Sequence, residues 1–223
     1  MCIMAKLYSP DSKTRKEIPM KLKGKKICIP VAHEFEDIEL LYPLLRLSEE
    51  GAHIVIAAYQ GGSSPRPYMG KSKPITGRFG TPIPPVPMVE GRRYEVKDAL
   101  TIKAEDFDAV VIPGGFCPDI LRREPYILNF VRQMDAAGKP IAAICHGPWL
   151  TISAGVVKGR RLTSFFAIKD DLVNAGALWE DSVVVVDRNL ITSRCPDDLP
   201  QFCLAVIDAL AKEAQAEAAS VKK

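Results

Sequence analysis

Pro140-Ile141-Ala142-Ala143-Ile144-Cys145-His146-Gly147-Pro148 joins an unbroken apolar run to a cysteine, a histidine and a Gly-Pro pair. A short run without polar alternation reads as a parallel strand buried on both faces. Proline is favoured at the first position of a helix, where its missing N–H costs nothing. The segment therefore predicts strand, sharp turn and helix, with Cys145 on the turn. It has the form of a nucleophile elbow, with cysteine in the usual serine position and Ala143 in place of the first glycine. The first amides of the turn and the dipole of the following helix would favour a thiolate.

Outward from this segment, short β-rich runs alternate with amphipathic stretches, which predicts an α/β fold with a mostly parallel sheet between helices. The strands expected are 26–31, 54–59, 109–112, 141–144, 162–165, 183–186 and 190–193. Helices are expected over 36–50, with Pro43 kinking it or marking its first turn, over 126–137, from Pro148, and from about Leu199. Residues 61–91 hold seven of the 18 prolines and cannot form a helix or a central strand, so they read as a long irregular insertion. Residues 92–102 alternate well enough for a hairpin or an edge strand. The domain reading is a basic extension over 1–24, one domain over 25–212 and a frayed tail over 213–223.

Composition narrows the class. The 223 residues are 47% hydrophobic and 26% charged, an ordinary balance for a globular chain with a core of its own. Six scattered cysteines show no C-x-x-C and no zinc spacing, and no apolar run is long enough to span a membrane. A cytoplasmic protein with reduced thiols, no metal and no cofactor is expected. The net charge of +3 hides an asymmetry: residues 1–26 carry eight Lys or Arg against Asp11 and Glu17, leaving the remainder net negative. No aromatic platform or nucleic-acid motif accompanies that basic segment, so a solvated extension or subunit arm is expected rather than a nucleic-acid partner.

Ligands bind outside the carboxyl ends of strands in an open parallel sheet, so the residues directly after each strand matter most. The first strand leads into His33-Glu34-Phe35-Glu36-Asp37, the third into Pro113-Gly114-Gly115-Phe116-Cys117-Pro118-Asp119, and the fourth into Cys145-His146. A carboxylate, a Gly-Gly turn and a thiol are thus predicted to meet at one edge. Gly114 and Gly115 allow close backbone approach, and together with the amide of His146 could form an oxyanion hole. Each feature also has a plain structural use: a core cysteine, a helix-entry carboxylate, a tight turn. The chain has only His33, His53 and His146, and none beyond 146, so a glutaminase triad drawing its histidine from the C-terminal third cannot be built. His146 is the best base, His33 a weaker candidate, and Asp119 the candidate group to orient the imidazole, across a subunit interface if need be. Cys117 and Cys195 follow strands and could act as resolving thiols, or be inert filler.

Several separated motifs in order resemble the PfpI-type intracellular cysteine protease family, within the superfamily of the parkinsonism-associated deglycase and class I glutamine amidotransferases. They are Glu34-Phe35-Glu36-Asp37-Ile38-Glu39-Leu40, Phe107-Asp108-Ala109 leading to Pro113-Gly114-Gly115, Gly138-Lys139-Pro140 with Ala143 through Pro148, and Ile168 through Gly176. The resemblance implies a flavodoxin-like three-layer sandwich and a homo-oligomer, dimer or hexamer, with the site near an interface. It implies Cys145 as nucleophile, Glu36 as a protonated acid beside the thiolate, and His146 paired to an acid from a neighbouring subunit at the position of Asp119. Phe165, after Thr163-Ser164, stands where a tyrosine is common and removes a substrate-binding hydroxyl.

The function expected is a cysteine-dependent hydrolase acting on a small carbonyl compound or a peptide, of the glyoxalase, deglycase or peptidase kind. The competing expectation is a redox-responsive stress protein or chaperone that senses oxidants through Cys145. A purely structural or nucleic-acid role ranks third.

Overall fold

The computed structural model describes residues 20–61, 74–83 and 94–220, with side chains described as far as residue 212. The basic extension up to residue 19, parts of the Pro-rich insertion (62–73 and 84–93) and residues 221–223 lie outside the described residues. Seven strands form the main sheet. They are β1 (Lys26–Val31), β2 (His53–Ala58), β3 (Tyr94–Asp98), β4 (Ala109–Ile112), β5 (Ile141–Ile144), β8 (Val184–Asp187) and β9 (Leu190–Ser193). Their order is β3-β2-β1-β4-β5-β9-β8. All neighbours run parallel except β8 against β9, which are joined by a tight turn at Arg188 with positive φ.

The central strands are apolar because both faces are covered: every residue of β4 and β5 is buried, as are the last five of β1. Helix α1 (Asp37–Glu49) packs with α6 (Leu199–Ser220). Helices α2 (Cys117–Leu121), α3 (Pro125–Ala136) and α4 (Pro148–Ala154) form the second helical group. The result is the expected three-layer α/β sandwich. Phe35, Phe130 and Phe202 are its largest fully buried side chains. Burying one such side chain is worth roughly 1.5–3 kcal/mol, so the core rather than any single polar contact holds the sheet in place.

Several elements differ from the pattern-based expectation. Pro43 lies inside α1, beyond its first turn. Its missing N–H leaves the carbonyl of Glu39 without the usual i+4 donor. Of the expected 162–165 strand only Leu162 lies in a strand, the short β6 (Arg161–Leu162), which pairs with β7 (Leu178–Trp179) apart from the main sheet. Thr163 N–H turns instead to the Thr192 hydroxyl at 2.9 Å, and Phe165 N–H donates to the Cys145 carbonyl at 3.0 Å. Helix α5 (Lys169–Asn174) follows this corner. Of the two readings of residues 92–102 the edge strand is the one found, over 94–98 and parallel to β2. The chain past Lys212 continues α6 as far as Ser220, and Leu22, within the basic segment, is fully buried with its N–H on the Glu50 carbonyl at 2.8 Å.

Candidate active site

Strands β1, β4 and β5 are adjacent, and the chain leaves β1 toward β2 on one side and later enters β4 on the other. That reversal opens a crevice at the carboxyl ends of the strands. Cys145 follows β5 with φ 60°, a left-handed conformation that costs a non-glycine residue on the order of 1–3 kcal/mol. The cost is met by two bonds that fix the peptide: Cys145 N–H donates to the Ser193 carbonyl at 3.1 Å, and its carbonyl accepts from Phe165 N–H at 3.0 Å. The side chain is thereby held at the strand end, 7% exposed, with the amides of His146 and Gly115 directed at the sulfur.

The carboxyl group beside that sulfur belongs to Glu39, not Glu36. Glu36 is the N-cap of α1 and its carboxylate accepts from Glu39 N–H at 2.9 Å. Glu39 lies one helical turn further in and is fully buried; its Oε2 accepts from Gly114 N–H at 2.6 Å, and its carboxyl interacts with the Cys145 thiol. Sequence reasoning missed Glu39. The signal was present: positions 39, 40, 43, 44 and 47 form the buried stripe of α1, and a carboxylate on such a stripe needs a reason.

Burial pushes the Glu39 carboxyl up to about 8, and the charge of Glu36 adds to this; the Gly114 amide, the thiol and the charge of Arg78 oppose it. Burial first, and then the negative charge of Glu39, push the Cys145 thiol well above its ordinary value, against the pull of the His146 and Gly115 amides. Each group penalises the other's negative charge, so the two titrate as a coupled pair and not independently.

Glycine is required at both positions of the Gly114-Gly115 turn. A Cβ at Gly114 would lie 2.7 Å from the Cys145 Cβ and 2.8 Å from Glu39 Oε2. Gly115 has φ 73° and bridges Phe35, and a Cβ there would lie 2.3 Å from the Glu34 carbonyl oxygen. This turn brings the β4 loop against both the thiol and the acid.

His146 Nδ1 lies 3.2 Å from the Cys145 sulfur. Its ring is flanked by Trp149 and Phe165, with centroids at 4.9 and 5.1 Å. Burial, and then the charge of Arg78, hold its pKa below the usual value, so the imidazole is neutral at pH 7. Asp119 does not orient it within the chain: that carboxylate is hydrogen-bonded to Arg123 one turn along, and no hydrogen bond or ion pair joins it to His146. Phe165 is a wall of the site through its contact with the imidazole. His33 is buried at the end of β1, neutral because burial lowers its pKa, and its Nδ1 has no hydrogen-bond partner among the described residues.

The other thiols are occupied or distant in role. Cys117 is fully buried, accepts from Ala32 N–H at 3.0 Å and is pushed by burial up to about 12. Cys195 caps a short turn before α6 and is half-buried. No group of residues with metal-ligand chemistry occurs among the described residues, and no described helix is long and apolar enough to cross a membrane.

A second residue that sequence reasoning missed comes from the Pro-rich insertion. Its described part, residues 74–83, folds into a turn over the α1 N-terminus, and the charge of Arg78 on that turn acts on both Glu39 and His146. Asp37 holds the turn: Oδ2 accepts from Phe79 N–H at 2.9 Å and Oδ1 from Thr81 N–H at 3.1 Å. The three acids at the start of α1 thus have three uses, a helix cap (Glu36), a loop clasp (Asp37) and a partner for the thiol (Glu39).

Comparison with known proteins agrees with this geometry. Residues 25–209 match the family model described as DJ-1/PfpI family. The chain is 43% identical over 177 residues to "Deglycase PfpI" of Pyrococcus furiosus, covering 78% of this chain and 92% of that protein. It is 38% identical over 180 residues to "Protein/nucleic acid deglycase 2" of Escherichia coli, covering 80% and 94% of the two chains. The crystal structure of Drosophila melanogaster DJ-1beta superposes with a TM-score of 0.69 at 28% identity, covering 88% of this chain and 97% of that one.

Proposed function

We propose that this chain, which belongs to the DJ-1/PfpI family, is a cysteine-dependent hydrolase of electrophilic carbonyl compounds, with Cys145 as nucleophile and Glu39 as proton carrier. The observation that carries this reading is Cys145, at φ 60°, with its sulfur between two backbone amides and the buried Glu39 carboxyl. Names given to relatives, two of them deglycases, support carbonyl chemistry over other uses of a thiol.

With a 2-oxoaldehyde, the carboxylate form of Glu39 takes the thiol proton, and the resulting thiolate adds to the aldehyde carbon. The oxyanion takes that proton back from Glu39, giving a hemithioacetal, with the His146 and Gly115 amides beside it. Glu39, as carboxylate, then removes the hydrogen on that carbon and returns a proton at the neighbouring carbon, while the hydroxyl proton of the first carbon passes to the oxygen of the second. The first carbon is oxidised to a thioester and the second reduced to an alcohol, so no external oxidant is required. Water attacks the thioester, releasing the 2-hydroxy acid and the thiol. Neutral His146, 3.2 Å from the sulfur, is placed to accept the proton of that water.

Peptide hydrolysis asks more of the site, because the leaving amine must be protonated. Among the described residues no carboxylate is bonded to the His146 ring, and Asp119 is paired with Arg123, which favours small carbonyl substrates. The test is lactate formation from methylglyoxal and cleavage of a fluorogenic peptide by wild type and Cys145→Ala. Lactate formation that disappears in the variant supports the proposal; equal behaviour of the two proteins in both assays overturns it.

A further inference from the structure

The turn carrying Arg78 is built into the wall of the Cys145 site rather than draped over it. Ile75 anchors it in the core. Thr76 pairs with Pro82, Gly77 N–H donates to the Thr81 carbonyl at 2.9 Å, and Ile83 N–H donates to the Ile75 carbonyl at 3.0 Å. Glu34 N–H reaches the Thr76 carbonyl at 2.8 Å, and Arg78 N–H reaches the Phe35 carbonyl at 3.0 Å. The same Glu34–Glu36 strap is bonded on its other side to Gly114 and Gly115, which touch the sulfur and its acid. A Cβ at Gly77 would lie 2.4 Å from the Asp37 carboxylate, so the clasp leaves the turn one position.

On this fixed turn Arg78 is exposed and its guanidinium has no hydrogen-bonded or ion-paired partner among the described residues. It rests only against the Phe79 ring, 5.2 Å from the centroid. The other described arginines all hold a carboxylate, a hydroxyl or a carbonyl; Arg160 binds Asp135, for example, and Arg194 binds Asp198. The positive charge at the mouth is therefore left available, and it acts on both Glu39 and His146, the two groups flanking the sulfur.

We propose that Arg78 is a specificity-determining residue that favours electrophiles carrying a carboxylate a few bonds from the carbon attacked by Cys145. This rests on the reading of Cys145 as the reactive centre. A fixed cation beside a concave site raises the local concentration of anions and gives a modest further gain on contact, both reduced by salt.

The experiment has one arm that needs no turnover. The rates at which iodoacetate and iodoacetamide alkylate Cys145, with iodide as leaving group, are measured by mass spectrometry for wild type, Arg78→Gln and Arg78→Lys. The iodoacetate to iodoacetamide ratio is expected to fall about threefold or more in Arg78→Gln, to be largely kept in Arg78→Lys, and to converge between wild type and Arg78→Gln in molar salt. An equal ratio in wild type and Arg78→Gln overturns the inference. The second arm compares kcat/KM for 4,5-dioxopentanoate, a 2-oxoaldehyde bearing a carboxylate and yielding 2-hydroxyglutarate, with that for methylglyoxal. The preference for the anionic substrate should fall in Arg78→Gln by a similar factor. Lactate formation with no charge preference in either arm overturns the role of Arg78 and leaves the hydrolase reading standing. A charge preference in alkylation without turnover of either aldehyde does the reverse, and no alkylation of Cys145 in wild type removes both.

Discussion

Glu39 and Cys145 meet across two elements distant in sequence: the acid comes from the first turn of α1, the thiol from the end of β5, and Gly114 touches both. The Gly114 amide holds Glu39 Oε2 at 2.6 Å, and a single added methyl at that glycine would collide with the Cys145 Cβ and with the carboxylate. The pair therefore exists only because the β4 loop carries no side chain at this point.

Gly114→Ala should lose thiol reactivity without losing the fold. Forcing a methyl group into this space costs roughly 1–3 kcal/mol, modest against the core. Far-ultraviolet circular dichroism should stay native, the melting temperature should fall by several degrees, and alkylation of Cys145 should change at least tenfold. A variant with unchanged alkylation would show that the contact is not what shapes the site.

Glu39 should also govern how stability depends on pH. Its folded pKa is raised from 4.5 to about 8, so between those values the folded state keeps a proton that the unfolded chain releases. Stability from this group is full below about 4.5 and is lost as pH rises through about 8. Replacement by glutamine mimics the protonated form, so the melting temperature of Glu39→Gln relative to wild type should rise steadily from pH 5 to pH 8.5. A constant difference over that range would contradict the raised pKa.

The Asp37 clasp is testable by amide exchange. Asp37→Ala leaves the N–H groups of Phe79 and Thr81 without their acceptor, and each such bond is worth about 1 kcal/mol. Exchange at residues 76–82 should speed up at least fivefold while β4 and β5 stay protected.

Native thiol reactivity should discriminate among the cysteines. Cys117 is fully buried and held near 12 by that burial, whereas Cys145 opens to the crevice. A small alkylating reagent should label Cys145 well before Cys117, which should react only on unfolding. Formation of a Cys117–Cys145 disulfide under mild peroxide would contradict this and favour the redox reading.

The sheet and the elbow were legible in the sequence because their signals are local. Four-residue apolar runs at 109–112 and 141–144, followed by Pro-Gly-Gly and by Cys-His-Gly-Pro respectively, leave few alternatives. The acid was less legible. Glu36 and Glu39 are both helix-start carboxylates, and the motif resemblance pointed to the first; only the stripe of buried positions on α1 separates a cap from an inward-facing group. The corner at Thr163–Phe165 looked like a strand because β-branched and aromatic residues also suit a buried turn. Arg78 could not be read at all, since its position depends on an Asp37 clasp 41 positions away in the chain, in a segment whose prolines said only that it was irregular.

The most direct measurement of the central claim is lactate formation from methylglyoxal by Glu39→Gln beside Glu36→Ala. Loss of a positioned proton carrier typically costs 10²- to 10⁴-fold, whereas loss of a helix cap costs about 0.5–2 kcal/mol of stability. The account predicts that Glu39→Gln falls at least about a hundredfold in kcat, and that Glu36→Ala melts a few degrees lower yet keeps kcat within about tenfold. An active Glu39→Gln beside an inactive, folded Glu36→Ala would contradict it and return the acid to the helix cap.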